Sequence, residues 1–242
     1  METEAHFDHI LQIISDNSTL STALQRYGIT QLKLSSEQEN ALKEAGINGH
    51  FVWEVLCTLE NPSSFNPKTF MAYPVPLILE YLKKSHTYYT QKRLGEIELN
   101  LANLQKKYAY TEQALYWEMV LLLFSSWKRH LQLHIEQEER TLFPYIFKLV
   151  AAEIDQRPVD DAYTLDHFIQ HHEDDQLETG LKEICQSIRK NTDSSSSLPL
   201  SHKVLLTQLD AFERDLWVHG LIEDYVLVPK AQEIERKLRF SA

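Results

Sequence analysis

The chain has 242 residues, a formal net charge of −11, 43% hydrophobic residues and 6 glycines. That is enough apolar material for one large domain or two small ones. Few glycines among many Leu, Glu, Lys and Gln favour helix over sheet. The acidic balance, with no basic patch, argues against nucleic acid or an anionic membrane surface as a partner.

No apolar run approaches the ~20 residues that a membrane span needs. The opening METEAHFDHI is acidic and has no hydrophobic signal core. The two cysteines, Cys57 and Cys185, form no CxxC pair. A reducing compartment fits them, and the expectation is a cytoplasmic protein.

In chain order, Ile10, Leu11, Ile14, Leu20, Leu24 and Tyr27 fall at helical spacing and predict a helix within 7–29, with Gly28 as its stop. A second helix is expected from Ser36 to about Ala45, ending at Gly46. A third runs from near Asn48 to about Leu59. These make a small helical N-terminal domain over residues 1–60. The segments NPSSFNP and YPVP then break helix and predict a linker over 61–76. From 77 to 242, four long helices are expected at about 77–105, 111–150, 161–190 and 201–238. The polar loop NTDSSSSLP separates the last two. Amphipathic helices joined by short loops predict an all-α fold, an up-down four-helix bundle behind the small N-terminal domain.

A histidine–glutamate pair occurs twice in one frame. His134, Glu138, Leu142 and Pro144 stand in HIEQEERTLFP, and His219, Glu223, Leu227 and Pro229 in HGLIEDYVLVP. Both histidines and both prolines are 85 positions apart, and Trp127 and Leu131 match Phe212 and Leu216 in the same frame. Residues four apart share a helix face. Each copy therefore sets an imidazole beside a carboxylate on an otherwise apolar stripe, where polar groups are costly unless satisfied. A solvated surface pair needs no matching apolar frame. Each proline, six residues beyond its glutamate, is expected to kink or tighten the helix.

The other two helices offer further ligands. His86 lies at helical spacing from Leu79 and Leu82. On the third helix, His171 falls at the edge of the stripe formed by Phe168, Leu177, Leu181, Ile184 and Ile188. His172 points away from that stripe, and His167, one turn earlier, is an alternative. The candidate metal ligands are thus His86, His134, Glu138, His171, His219 and Glu223. Imidazole with carboxylate suits iron, manganese or zinc, and two carboxylates can bridge two ions. Glu136, Glu139 and Asp224 are expected on solvated faces, and His130 beside the site or at the surface. No histidine has Glu or Asp three residues earlier, so the Glu-x-x-His pattern of ferritin-like carboxylate proteins is absent. HExxH, P-loop, GxGxxG and GxSxG motifs are absent too.

With these residues in view, HIEQEERTLFPYI resembles the HxxxEExxLFPxI signature of hemerythrin-like (HHE cation-binding) domains, and HGLIEDYVLVPKA resembles their second HxxxE signature. YLKKSHTYYTQKRLGEIE and HHEDDQLETGLKEI are similar to the family's first-histidine and third-helix segments. The likeness runs from about residue 70 to the end. It implies a four-helix bundle with a non-haem di-iron centre, two iron ions held by the six residues above and bridged by Glu138 and Glu223. ILQIISDNSTLSTALQRYGI is similar to the helical domain that opens the iron–sulfur cluster repair (RIC) proteins. This implies a role in the oxidative and nitrosative stress response, with dioxygen or nitric oxide as small ligand and iron–sulfur proteins as partners.

Two departures matter. The Cys-Cys pair usual in RIC proteins is missing, since Tyr27-Gly28-Ile29 leads into TQLKLSS. The family's further histidine between the first two signatures is also missing from NLQKKYAYTEQ, where Tyr108 or Tyr110 stands instead. Three readings stay open: redox chemistry or cluster repair, reversible binding or sensing of dioxygen or nitric oxide, and a metal-free helical scaffold.

Overall fold

The structure, a computed structural model, describes Arg26 and residues 48–159, 164–169, 175–192 and 199–240. The described residues are almost wholly helical and contain no strand. None of their helices is long and apolar enough to cross a membrane. Apart from Arg26, the first two helices expected in the N-terminal domain fall outside the described residues.

Helix α1 (Gly49–Glu60) starts where the Asn48 side chain accepts a hydrogen bond from the Phe51 N–H at 3.0 Å, a standard N-cap. A 3₁₀ turn (Pro62–Ser64) and α2 (Pro67–Met71) follow, each capped by an asparagine and opened by a proline. The stretch 61–76 is therefore not the bare linker expected. It carries helix of its own and buries Phe70. Phe51, Val55, Leu56 and Leu59 of α1 join Phe70 in one apolar cluster with Ile78, Phe143, Ile222 and Leu227. Asn and Pro break a long helix, but here they cap and start short ones, and the aromatic residues between them have a core to fill.

The rest of the described chain is built from long rods. Helix α3 (Val75–Tyr88), a π-helical turn (Tyr89–Arg93) and α4 (Leu94–Tyr108) form the first. Helix α5 (Ala114–Gln137), a π turn (Glu138–Leu142) and α6 (Phe143–Ile154) form the second. Helices α7 (Leu165–Ile169) and α8 (Asp175–Thr192) belong to the third. Helix α9 (Leu200–Ile222), a π turn (Glu223–Leu227) and α10 (Val228–Phe240) form the last. Helix α5 packs on α4 and α8, α9 packs on α8 and α4, and α6 packs on α10. Of the third expected helix, 161–190, residues 165–169 and 175–190 are described and helical.

The prolines widen the helix rather than kinking or tightening it. Pro144 and Pro229 have no N–H to give the carbonyl four residues back, and their rings crowd it. The ladder shifts by one residue instead, and the N–H groups of Phe143 and Val228 bond to the carbonyls of Glu138 and Glu223, five residues back. The same widening in the first rod, where Leu94 N–H reaches the Tyr89 carbonyl, occurs without a proline. There the Thr90 hydroxyl donates to the His86 carbonyl at 2.8 Å and competes for the ladder. π-helical turns of this kind cluster at functional sites.

The core falls into two apolar clusters, and the polar layer lies between them. In the first rod one cluster takes Val75–Leu82 and the other begins at Tyr88. In the second, one ends at Ile135 and the other begins at Leu142. In the last, one ends at Phe212 and the other begins at Val218. His86, Glu138 and Asp215 sit in these gaps.

Candidate metal centre

The π turns follow His86 and begin at Glu138 and Glu223, so the first, second and last rods deliver ligands at or beside a widened point of the helix. His86, Glu138, His219 and Glu223 are buried, and His134 is half-buried. The Nε2 atoms of His86 and His219 face each other at 3.1 Å. Glu138 Oε2 lies 3.1 Å from His86 Nε2, and Glu138 Oε1 lies 3.2 Å from His134 Nε2. One carboxylate thus spans two imidazoles from different rods. Glu223 Oε2 lies 3.5 Å from His219 Nε2. Of the six residues singled out, the structure brings five together. The sixth, His171, lies outside the described residues, as does His172. His167 is exposed on α7 with its ring against Phe168.

The donor set fits a transition-metal ion. Ligand atoms of His86, Glu138 and His219 all lie within 4.8 Å of one another. Two nitrogens each about 2.1 Å from one ion and at right angles would be about 3.0 Å apart, close to the 3.1 Å seen between the two Nε2 atoms. His86 also has the outer support usual for a ligating imidazole, because its Nδ1 bonds Glu139 Oε1 at 3.1 Å. Its ring stacks on Phe143, with centroids 5.4 Å apart.

The electrostatics follow from this packing. Burial alone would push the His86 imidazole down. The hydrogen bonds to Glu138 and Glu139 more than reverse it, and its pKa is raised to about 9. Burial lowers that of His219, with the neighbouring His86 acting in the same direction. The two rings are thus shifted in opposite directions by their surroundings. Hydrogen bonding to His86 holds the Glu139 carboxyl below its ordinary range. Glu139 is thus no solvated bystander as expected: it is only partly exposed, and it orients a candidate ligand.

Tyr108 and Tyr110 are corrected as well. Tyr110 is fully exposed, and Tyr108 stacks on Trp117 beside His202. Tyr108 follows His86 by 22 residues along one rod, about 33 Å at the α-helical rise. The phenol that does approach the centre is Tyr89, buried and edge-on to His219 at a centroid distance of 5.7 Å. Its hydroxyl donates to the Asp215 carbonyl at 3.4 Å. Tyr89 carried a usable signal, since it lies three residues after His86 on the same helix face.

Beside the ligands a cavity of about 460 Å³ is lined by His86, His134, Glu138, His219 and Glu223, with Leu131, Leu177, Leu181 and Leu216 among its apolar walls. Neither cysteine joins the site. Burial pushes the Cys57 thiol up to about 11 and the Cys185 thiol up to about 12. Cys185 does lie near Asp210 and Glu213, but Asp210 is taken by Arg189. No protein-family model matches the chain, and no curated protein matches it.

Proposed function

We propose that the chain is a hemerythrin-like protein, an up-down four-helix bundle whose core holds two non-haem iron ions, and that it serves the cytoplasmic response to dioxygen or nitric oxide. The observation that carries this reading is the meeting of His86, Glu138 and His219 from three rods at a spacing suited to adjacent ligands of one ion. His134 and Glu223 extend the set, and Glu138, facing His86 and His134 with separate oxygens, is suited to bridge. Ferrous iron would supply electrons and a coordination position for a diatomic ligand. The chain's own part is to hold, orient and shield. Glu139 fixes the ring of His86, the apolar clusters border the layer on either side, and the cavity gives a small molecule access. With both thiols away from the ligands and held protonated, no thiol step is part of this proposal.

A second reading, reversible binding or sensing of dioxygen or nitric oxide, draws on the apolar part of the cavity wall, Leu131, Leu177, Leu181 and Leu216, which suits an uncharged diatomic molecule. Anaerobic iron reconstitution followed by rapid mixing with each gas tests both. Two irons per chain and a fast spectral change are expected. Recovery of the reduced spectrum when the gas is removed selects the binder, and permanent oxidation selects redox chemistry or repair. Less than one iron per chain, or a centre inert to both gases, overturns both and leaves a helical scaffold.

A further inference from the structure

Arg26, the described residue of the first part of the sequence, reaches the polar layer. Arg26 is buried, and its guanidinium fork is divided between two rods. Nη1 donates to Ser85 Oγ at 2.8 Å and to Tyr81 Oη at 3.2 Å, both on α3. Nη2 donates to Asp215 Oδ2 on α9 at 2.5 Å. The rings of Tyr81, Tyr88 and Tyr89 lie 5.4, 5.5 and 5.9 Å from its central carbon, within cation–π range.

The two anchor points are placed with respect to the histidines. Ser85 immediately precedes His86. Asp215 precedes His219 by four residues, one helical turn on the same face. The Tyr89 hydroxyl donates to the Asp215 carbonyl, and its ring packs edge-on to His219, closing the link from the other side. A planar guanidinium can hold two partners in fixed directions, whereas an ammonium on a flexible stem cannot. Burying a cation is costly, and Asp215, itself buried, compensates it.

We propose that Arg26 is a positioning residue that fixes α3 against α9 and thereby sets the short contact between His86 and His219. Its use in assembling a metal centre rests on the function proposed above, but the clamp itself does not. It makes the geometry of the centre depend on a residue far ahead of every candidate ligand in the chain.

The test uses the metal-free full-length protein with ¹³C,¹⁵N-labelled histidine. The rings of His86 and His219 have their centroids 4.8 Å apart, so a nuclear Overhauser signal between their ring C–H protons is expected in the wild type. Arg26→Lys keeps the charge and loses the fork, so that signal is expected to fall at least twofold while the circular dichroism stays helical. Asp215→Asn, which keeps shape and removes the counter-charge, is the second variant should Arg26→Lys fold poorly. Iron loading is measured alongside, with content in the variant expected at half the wild-type value or less. An unchanged signal in both folded variants overturns the clamp, as does its absence in the wild type. If the wild type binds no iron but the signal behaves as expected, the clamp stands and the metal reading falls.

Discussion

The two copies of the histidine–glutamate pair share a backbone and differ in what surrounds them. Each runs from an α-helix into a five-residue π turn that begins at its glutamate and ends before its proline, over 138–142 and 223–227. Among the described residues, Glu138 faces two imidazoles, His86 and His134, and Glu223 faces its own His219. The first copy is packed against α7, and the second against α2 and α3. Phe65 meets Tyr225 edge-on, and Lys230 Nζ donates to the Met71 carbonyl at 2.7 Å. The repeat in the sequence dictates the local turn. The division of labour comes from neighbours that are not repeated.

This asymmetry is broken most severely by removing the brace of the second copy. A chain beginning at Phe70 lacks Phe51, Val55, Leu56 and Leu59, each no more than 3% exposed. Truncating one buried Phe alone typically costs about 3–5 kcal/mol, and a whole domain is stable by about 5–15 kcal/mol. That fragment is expected to be insoluble or molten and to bind no iron, contrary to what a linker at 61–76 would predict. A soluble fragment with a cooperative thermal transition and wild-type iron content would show that α1 and α2 are dispensable.

The glutamates test the division itself. Glu138→Ala removes the carboxylate that lies between two imidazoles, and iron content is expected to fall below one per chain. Glu223→Ala removes a carboxylate whose partner among the described imidazoles is His219, and about one iron is expected to remain. Elemental analysis after anaerobic reconstitution reads both. Equal losses would mean that the two copies work alike and that the environment matters less than the repeat.

Outside the repeat but beside it, Glu139 sharpens the contrast with Asp224, its counterpart in the frame. Glu139 bonds His86 Nδ1, while Asp224 is exposed. Removing an outer partner of a ligating histidine typically costs 10- to 100-fold in metal affinity. About that loss is expected for Glu139→Ala, and little change for Asp224→Ala, in competition titrations with a chelator.

What the sequence revealed and what it hid divide along physical lines. The rods were legible because apolar residues recur at helical spacing over dozens of positions, and their described ends lie within a few residues of expectation. His86, His134, Glu138, His219 and Glu223 were legible because a buried polar residue interrupts an apolar stripe. Glu139 was not, since it lies off that stripe and only the approach of α3 gives it a partner. Arg26 and Asp215 were not, since pairing across 189 positions leaves no local pattern. Helix α2 was read as linker because Asn and Pro break a long helix and start a short one with the same chemistry.

The smallest expected effect concerns the tyrosines. Tyr108 and Tyr110 stand where the family resemblance lacks a histidine, but neither is near the ligands, so Tyr108→Phe and Tyr110→Phe are expected to leave the visible spectrum of the oxidised, iron-loaded protein unchanged. Tyr89 is the closer test. Burial pushes its phenol well above its ordinary value, with the nearby Asp215 carboxylate adding to the rise, so it is protonated at neutral pH. Its hydroxyl is also turned to the Asp215 carbonyl rather than to the Nε2 atoms. Tyr89→Phe is therefore expected to lose no charge-transfer band and to cost only about one hydrogen bond, roughly 0.5–1.5 kcal/mol in denaturant unfolding. A visible band that disappears in Tyr89→Phe alone would instead identify a phenolate bound to iron, and would give His219, and with it the second copy, a ligand neighbour that the first copy lacks.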